Sequence, residues 1–309
     1  MQHVFGPIPS RRLGMSLGLD LIPYKTCSYD CIYCELGKTT HKTVERREYV
    51  AKDLVIGQLD QYLPLLDVPP DYITLSGSGE PTLNSRIGEI ITGIKRITAI
   101  PVAVITNGSL LFLDQVQEAL ANADLVLPSL DAVSPLSFTC VNRPEDSLSI
   151  ATIISGLIEF RKAFSGQIWL EIIFCRVVND DRAEVERMQR VIDAIKPDRV
   201  QINTVVRPSA EDFAYPLNGE RLNELKDILG AKAEIIANVV PLDKGTRFVD
   251  TEEKILNLIA RRPCTCNDLC EALALHAHET LKYIDKLKKE GRVRYSLHRN
   301  SVYYRVSGL

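Results

Sequence analysis

The sequence predicts an α/β protein: a partial (β/α)6 TIM-like barrel followed by a small α+β winged-helix domain. Between Met15 and Thr204, short β-rich runs alternate with longer helical patterns, as parallel strands joined by crossover helices require. The apolar runs of those strands are nearly continuous, which suits strands covered on both faces. After Asp250 the pattern changes to short helices and then to two alternating runs.

Taken in order, the strands are expected at "MSLGLDLI" (15–22), "DYITLS" (71–76), "PVAVIT" (101–106), "DLVLPSL" (124–130), "QIWLEIIFC" (167–175) and "DRVQINTVV" (198–206), giving six βα units. Intervening segments such as 183–195 repeat apolar residues at spacings of three and four, the mark of a helix with one buried face. Helices at about 251–261, 265–274 and 277–290, then "GRVRYSL" and "SVYYRV" around His298-Arg299-Asn300, describe a winged helix. The expected division is a barrel over 1–240, a linker over 241–250 and the winged helix over 251–309.

With 309 residues, 45% apolar and 25% charged, the chain can bury a full core, and neither a disordered nor a membrane protein fits. The start "MQHVFGPIPSRR" lacks a signal-peptide apolar run, and no stretch approaches ~20 uninterrupted apolar residues, so a cytoplasmic location without membrane contact is expected. A net charge of −3 implies no polyanionic partner for the whole molecule. Residues 250–309 nevertheless hold eleven Lys/Arg against eight Asp/Glu, about +3, leaving about −6 for the rest.

Eight cysteines in such a chain point to reduced thiols or metal ligands. Cys27, Cys31 and Cys34 stand in the loop after the first strand, at the end of the barrel where connecting loops converge. Zinc would want a fourth ligand, and no Cys or His stands nearby at finger-like spacing. Three thiolates instead suit three corners of a [4Fe–4S] cube with one iron open to a ligand.

The Cys-x3-Cys-x-Tyr-Cys segment resembles the signature of radical S-adenosylmethionine (SAM) enzymes, with Tyr33 at the aromatic position. The resemblance spans roughly residues 4 to 230, and the lead-in "FGPIPSRRLGMSLGLDLIPYKTC" is loosely similar to the branch that builds wyosine bases in tRNA. It implies a [4Fe–4S] cluster whose open iron chelates SAM, an electron donor such as flavodoxin or ferredoxin, and a 5′-deoxyadenosyl radical that abstracts hydrogen from substrate. "LSGSGEPTLN" resembles the superfamily's glycine-glutamate motif. There Gly77 and Gly79 would let the backbone approach SAM, and Glu80 would accept from its ammonium; a capped βα turn is the alternative. Asn107 in "ITNG", Ser129 and Asp131 at the end of the fourth strand, and Glu171 on the fifth would complete a cofactor cleft or else cap helices and loops.

Other residues stay open. Arg11 and Arg12 could bind an anionic substrate or be solvated, and the basic stretch beginning at His41 invites the same two readings. Cys140 and Cys175 are expected as small core residues, and Cys264, Cys266 and Cys270 could hold a second metal or belong to the core. With the basic run ending "DKLKKEGRVR" and Arg299 on the wing, RNA is the expected substrate. The alternatives are modification of a protein or peptide docked on the winged helix, and a cluster-based sensor that binds DNA.

Overall fold

The computed structural model describes residues 3–237 and 251–308 apart from 274, 276 and 300. Its centre is an eight-stranded sheet. β1 (Val4–Ser10) and β2 (Gly14–Leu19) begin it. Two-residue strands β3 (Thr26–Cys27) and β4 (His41–Lys42) pair to close the cysteine loop at its base. β5 (Tyr72–Leu75), β6 (Val102–Thr106), β7 (Leu125–Pro128), β8 (Gln167–Phe174), β9 (Arg199–Thr204) and β10 (Ala233–Ile235) complete the order β1-β2-β5-β6-β7-β8-β9-β10. Every pairing from β2 onward is parallel, and β1 is antiparallel to β2. All six expected strands are present, each within a few residues. β1 and β10 are additions: "VFGPIPS" hides its strand behind Gly and two Pro, and three residues are too short to carry a period.

Crossover helices α1 (Lys52–Tyr62), α2 (Ile87–Ile97), α3 (Asp114–Leu120), α4 (Pro135–Val141), α5 (Ile150–Ala163), α6 (Arg182–Ile195) and α7 (Gly219–Leu229) cover the outside of the sheet. Helix α2 shows why: Ile87, Ile90, Ile91 and Ile94 share one face and are all fully buried. Asp181 caps α6 by accepting from the Glu184 amide, and Asn218 caps α7 in the same way. One large apolar cluster fills the space between strands and helices, while Leu13, Ala103, Leu125, Leu127 and Trp169 form a second cluster.

The C-terminal unit has its own core. Helices α8 (Thr251–Arg261), α9 (Cys266–Leu273) and α10 (Ala277–Lys289) pack with the hairpin of β11 (Val293–His298) and β12 (Ser301–Val306) around Ile255, Leu258, Leu269, Ile284 and Leu287. Three helices followed by an antiparallel hairpin match the element order expected from the sequence. Ile8 of β1 packs against this core, and Tyr303 donates from its hydroxyl to the Val206 carbonyl, so the unit sits against the barrel. The expected linker over 241–250 lies outside the described residues. Among the described residues no helix is long and apolar enough to cross a membrane.

Candidate functional site

The loop from Thr26 to Lys42 leaves and re-enters the fold at one point, because β3 and β4 pair and Thr43 donates its amide to the Cys27 carbonyl. It is stitched to the loop after β5 by two backbone bonds, Lys25 N–H to Ser78 O at 2.7 Å and Glu80 N–H to Thr26 O at 3.2 Å. Gly79 makes that approach possible, since a Cβ there would lie 1.8 Å from the Thr26 carbonyl oxygen. Gly77 has φ +138° and faces the Asp20 carboxylate, which accepts from the Ser78 amide at 3.1 Å. Both glycines are thus required by the protein's own chain.

Cys27, Cys31 and Cys34 are half-buried, and each sulfur receives a side-chain N–H. Asn107 Nδ2 lies 3.6 Å from Cys27 Sγ, Asn142 Nδ2 lies 3.5 Å from Cys31 Sγ, and Lys25 Nζ lies 3.2 Å from Cys34 Sγ. Burial, with the Glu80 carboxylate nearby, pushes the Cys27 thiol up to about 12, and burial beside Asp131 raises Cys31 well above its ordinary value. Thiols so placed ionise only when a cation compensates, which is what iron ligation supplies. Among the described residues no group of three His, Cys, Asp or Glu could hold a single metal ion. Three sulfurs, each with its own N–H donor, could serve as the three protein ligands of a [4Fe–4S] cluster with one open iron.

Around the triad, Tyr33 lies beside Cys31 and shares its hydroxyl with a buried carboxylate. Its hydroxyl donates to Asp131 Oδ2 at 2.5 Å, and Asn142 Nδ2 and the Ile173 amide donate to the same carboxylate. Burial raises Asp131 to about 6 even so. Asn107 binds Ser28 Oγ at 2.8 Å and sends its amide to Glu80 Oε2 at 2.7 Å. Glu80 is fully enclosed: Oε1 accepts from Thr82 N, Thr82 Oγ1 and Thr106 Oγ1, capping the 3-10 turn Pro81–Leu83. The capping alternative is therefore realised. Only one acceptor position, on Oε2, remains for a ligand ammonium.

The remaining expected contacts fare differently. Glu171 is 4% exposed and bound by Arg12 at 2.5 Å and by Asn203 at 3.2 Å, so protein partners occupy both its oxygens. Ser129 extends β7 by a backbone bridge to Glu171, and its amide donates to the Thr106 carbonyl. Arg11 donates to Asn203 Oδ1 at 3.0 Å, and burial lowers it to about 10; neither arginine is a solvated charge. His41 is exposed on β4. Cys175 is fully buried as expected, whereas Cys140 is exposed, because it falls on the outer face of α4. Cys264 is buried in the C-terminal core, and Cys266 and Cys270 face each other at 3.9 Å one turn apart on α9.

Next to the triad, Glu35 gathers arginines. Burial alone would raise its carboxyl, but Arg207, Arg262 and Arg11 outweigh it and hold it at about 2. Arg207 continues to Asp268 of α9 at 3.4 Å. Arg11, Arg207, Arg262 and Asp268 border a cavity of ≈160 Å3 that Arg12, Ser16, Thr74 and Ser76 also line, between the inner face of the barrel and the C-terminal unit. Lys25, Asn142 and Glu35 carried no motif in the sequence. Only adjacency to the cysteines could have marked Lys25 and Glu35.

The family model of the radical SAM superfamily matches residues 21–188. The chain is 38% identical over 309 residues to a protein of Brachyspira hyodysenteriae described as GTPase Obg, covering 99% of this chain and 45% of that one. It therefore spans less than half the length of that relative. A UPF0026 protein of Methanocaldococcus jannaschii is 31% identical over 301 residues, covering 95% of this chain and 92% of that one. Among solved structures, a radical SAM methyltransferase from Sphaerobacter thermophilus superposes with a TM-score of 0.57 at 17% identity, over 71% of this chain and 65% of that one; at such identity the likeness is one of fold.

Proposed function

Because the chain belongs to the radical SAM superfamily and, within it, to the UPF0026 proteins, we propose that Cys27, Cys31 and Cys34 hold the family's [4Fe–4S] cluster and that the enzyme modifies RNA. The cofactors of the family are that cluster and SAM, which together supply an electron-driven cleavage of SAM to methionine and a 5′-deoxyadenosyl radical that takes hydrogen from substrate. The protein's own residues bind, orient and exclude water. Asn107, Asn142 and Lys25 direct N–H groups at the three sulfurs, and Glu80, with Gly77 and Gly79 framing its loop, offers its remaining acceptor to the methionine ammonium. The convergence of three side-chain N–H donors on the three sulfurs is the observation that carries the cluster assignment. In this reading Tyr33 and Asp131 brace the cluster from behind, and Ser129 and Glu171 shape the cleft wall.

The barrel over 1–240 performs the chemistry, and residues 251–309, as a winged helix, recruit the substrate. Support for RNA is the exposed edge where Lys288 lies 4.8 Å over the Tyr295 ring, with Lys286, Lys289 and Arg292 beside it. A flavodoxin or ferredoxin would deliver the electron. The competing reading, a protein or peptide substrate, draws on the exposed Leu297 and Val302 of the same hairpin. Anaerobic incubation with SAM and dithionite tests the first part: 5′-deoxyadenosine and methionine are expected, and their absence would favour a sensor. Nucleoside profiles of RNA from a deletion strain and its parent test the second.

A further inference from the structure

The geometry points to Lys25 as the residue that sets the reduction potential of the cluster, by holding a buried positive charge against one of its ligand sulfurs. This rests on the reading that Cys27, Cys31 and Cys34 carry a [4Fe–4S] cluster. Lys25 is unusual for a lysine: it is only 3% exposed, and its φ of +59° places a non-glycine residue in the left-handed region. Backbone contacts fix that conformation. Its amide donates to Ser78 O, and its carbonyl accepts from the amides of Thr40 at 3.2 Å and His41 at 3.1 Å. The side chain is thereby aimed inward, and Nζ meets Cys34 Sγ at 3.2 Å. Among the described residues no salt bridge links Lys25 to a carboxylate, and Cys34 Sγ is the side-chain partner of its ammonium.

The three donors to the triad are unequal. Asn107 and Asn142 are neutral amides at 3.6 and 3.5 Å, whereas Lys25 brings a full charge closer, at 3.2 Å. Reduction adds one electron to a cluster already made negative by its three thiolates. In a half-buried site the cost of that added charge depends on nearby cations, and hydrogen bonds to the sulfurs are a recognised lever on cluster potential. Lys25 therefore favours the reduced state, the one from which SAM is cleaved. It contacts neither SAM nor substrate in this scheme and acts through Cys34, as a positioning residue.

The test is a potentiometric titration of reconstituted full-length protein without SAM, followed by electron paramagnetic resonance. Lys25→Met should lower the equilibrium constant for one-electron reduction about ten- to a hundredfold, the usual weight of a charge-assisted hydrogen bond, which at 59 mV per decade moves the midpoint roughly 60–120 mV more negative. Lys25→Arg, which keeps the charge, should stay near the wild-type midpoint. A fully loaded Lys25→Met protein with the wild-type midpoint would overturn the proposal, as would a Lys25→Arg protein displaced as far as Lys25→Met. If Lys25→Met cannot retain the cluster, wild-type protein grown with 15N-lysine decides: a 15N hyperfine coupling to the reduced cluster is expected, and its absence overturns the assignment. Wild-type protein that takes up no cluster contradicts the cysteine reading itself, so the two failures are distinguishable.

Discussion

Arg207 and Asp268 lie 3.4 Å apart and join the segment after β9 to helix α9 of the C-terminal unit. Arg207 is 5% exposed and also reaches Glu35 at 3.3 Å, the residue that follows Cys34. One guanidinium therefore connects the cysteine loop to the C-terminal unit. Burial would lower its pKa, but the two carboxylates outweigh that and raise it. Arg207→Met leaves Glu35 and Asp268 without their shared cation. The expected loss is roughly 2–4 kcal/mol, a little under that of a fully buried pair because Glu35 is 29% exposed. Chemical denaturation measures it, and a wild-type midpoint would show that solvent already screens the contact.

Replacing any one of Cys27, Cys31 or Cys34 by Ala should abolish SAM cleavage and sharply reduce bound iron, because in the proposed ligand set each sulfur serves a different corner and its amide or ammonium donor cannot substitute for it. Iron and sulfide content with the visible spectrum check this. Full cluster content and turnover in Cys31→Ala would remove that residue from the ligand set.

Glu80→Ala has two expected effects. Thr82, Thr106 and the Asn107 amide lose their acceptor, costing about 1–3 kcal/mol of stability. SAM affinity should fall ten- to a hundredfold, the worth of one charge-assisted bond, while the cluster spectrum of the protein that remains folded is nearly unchanged. Titration calorimetry with SAM separates the two, and an unchanged dissociation constant would leave Glu80 as a cap alone.

What was legible in the sequence was local. The cysteine spacing fits within eight positions, and the β5 loop motif and the strand runs are each contiguous, so their physical meaning survives without a fold. Contacts made across the fold were not. Asn142 reaches Cys31 over 111 residues and Tyr33 reaches Asp131 over 98, and no spacing rule connects such pairs. Glu171 and Arg12 show the converse: a polar residue on a barrel strand read as a ligand, yet its charge is matched by an arginine 159 positions earlier. β1 escaped because its prolines obscure a strand that tolerates them on a sheet edge.

Glu184 offers a pH-dependent prediction away from the cysteines. Burial would raise its pKa, but amides of Val133 and Ser134 and the guanidinium of Arg187 donate to it and hold it below the usual 4.5. A depressed carboxyl contributes stability that is full above its unfolded value and is lost as pH falls through the lower folded value. Glu184→Gln should therefore cost about 1–2 kcal/mol near pH 7, with the gap to wild type closing as pH drops below about 4. Urea titrations at several pH values check this. A gap independent of pH would mean that shape, not charge, matters at this position.

The last prediction separates the substrate readings. Removing residues 250–309 should leave SAM cleavage without substrate largely intact, but it would also uncover Ile8 and break the Arg207–Asp268 contact, so charge reversal is the cleaner test. Lys286, Lys288 and Arg292 already neighbour Glu252, Asp285 and Glu290, which weakens the basic face relative to its composition. If the partner is RNA, single-strand affinity should fall with salt at a slope of about −2 to −3 on log axes, as three or four phosphate contacts release counterions. Reversing Lys286, Lys288, Lys289 and Arg292 to Glu should both weaken binding and flatten that slope. A protein docked on the hairpin would instead be lost on replacing Leu297 and Val302, which are 72% and 39% exposed, with little response to salt. Absence of RNA binding at low salt would turn the assignment toward a protein substrate.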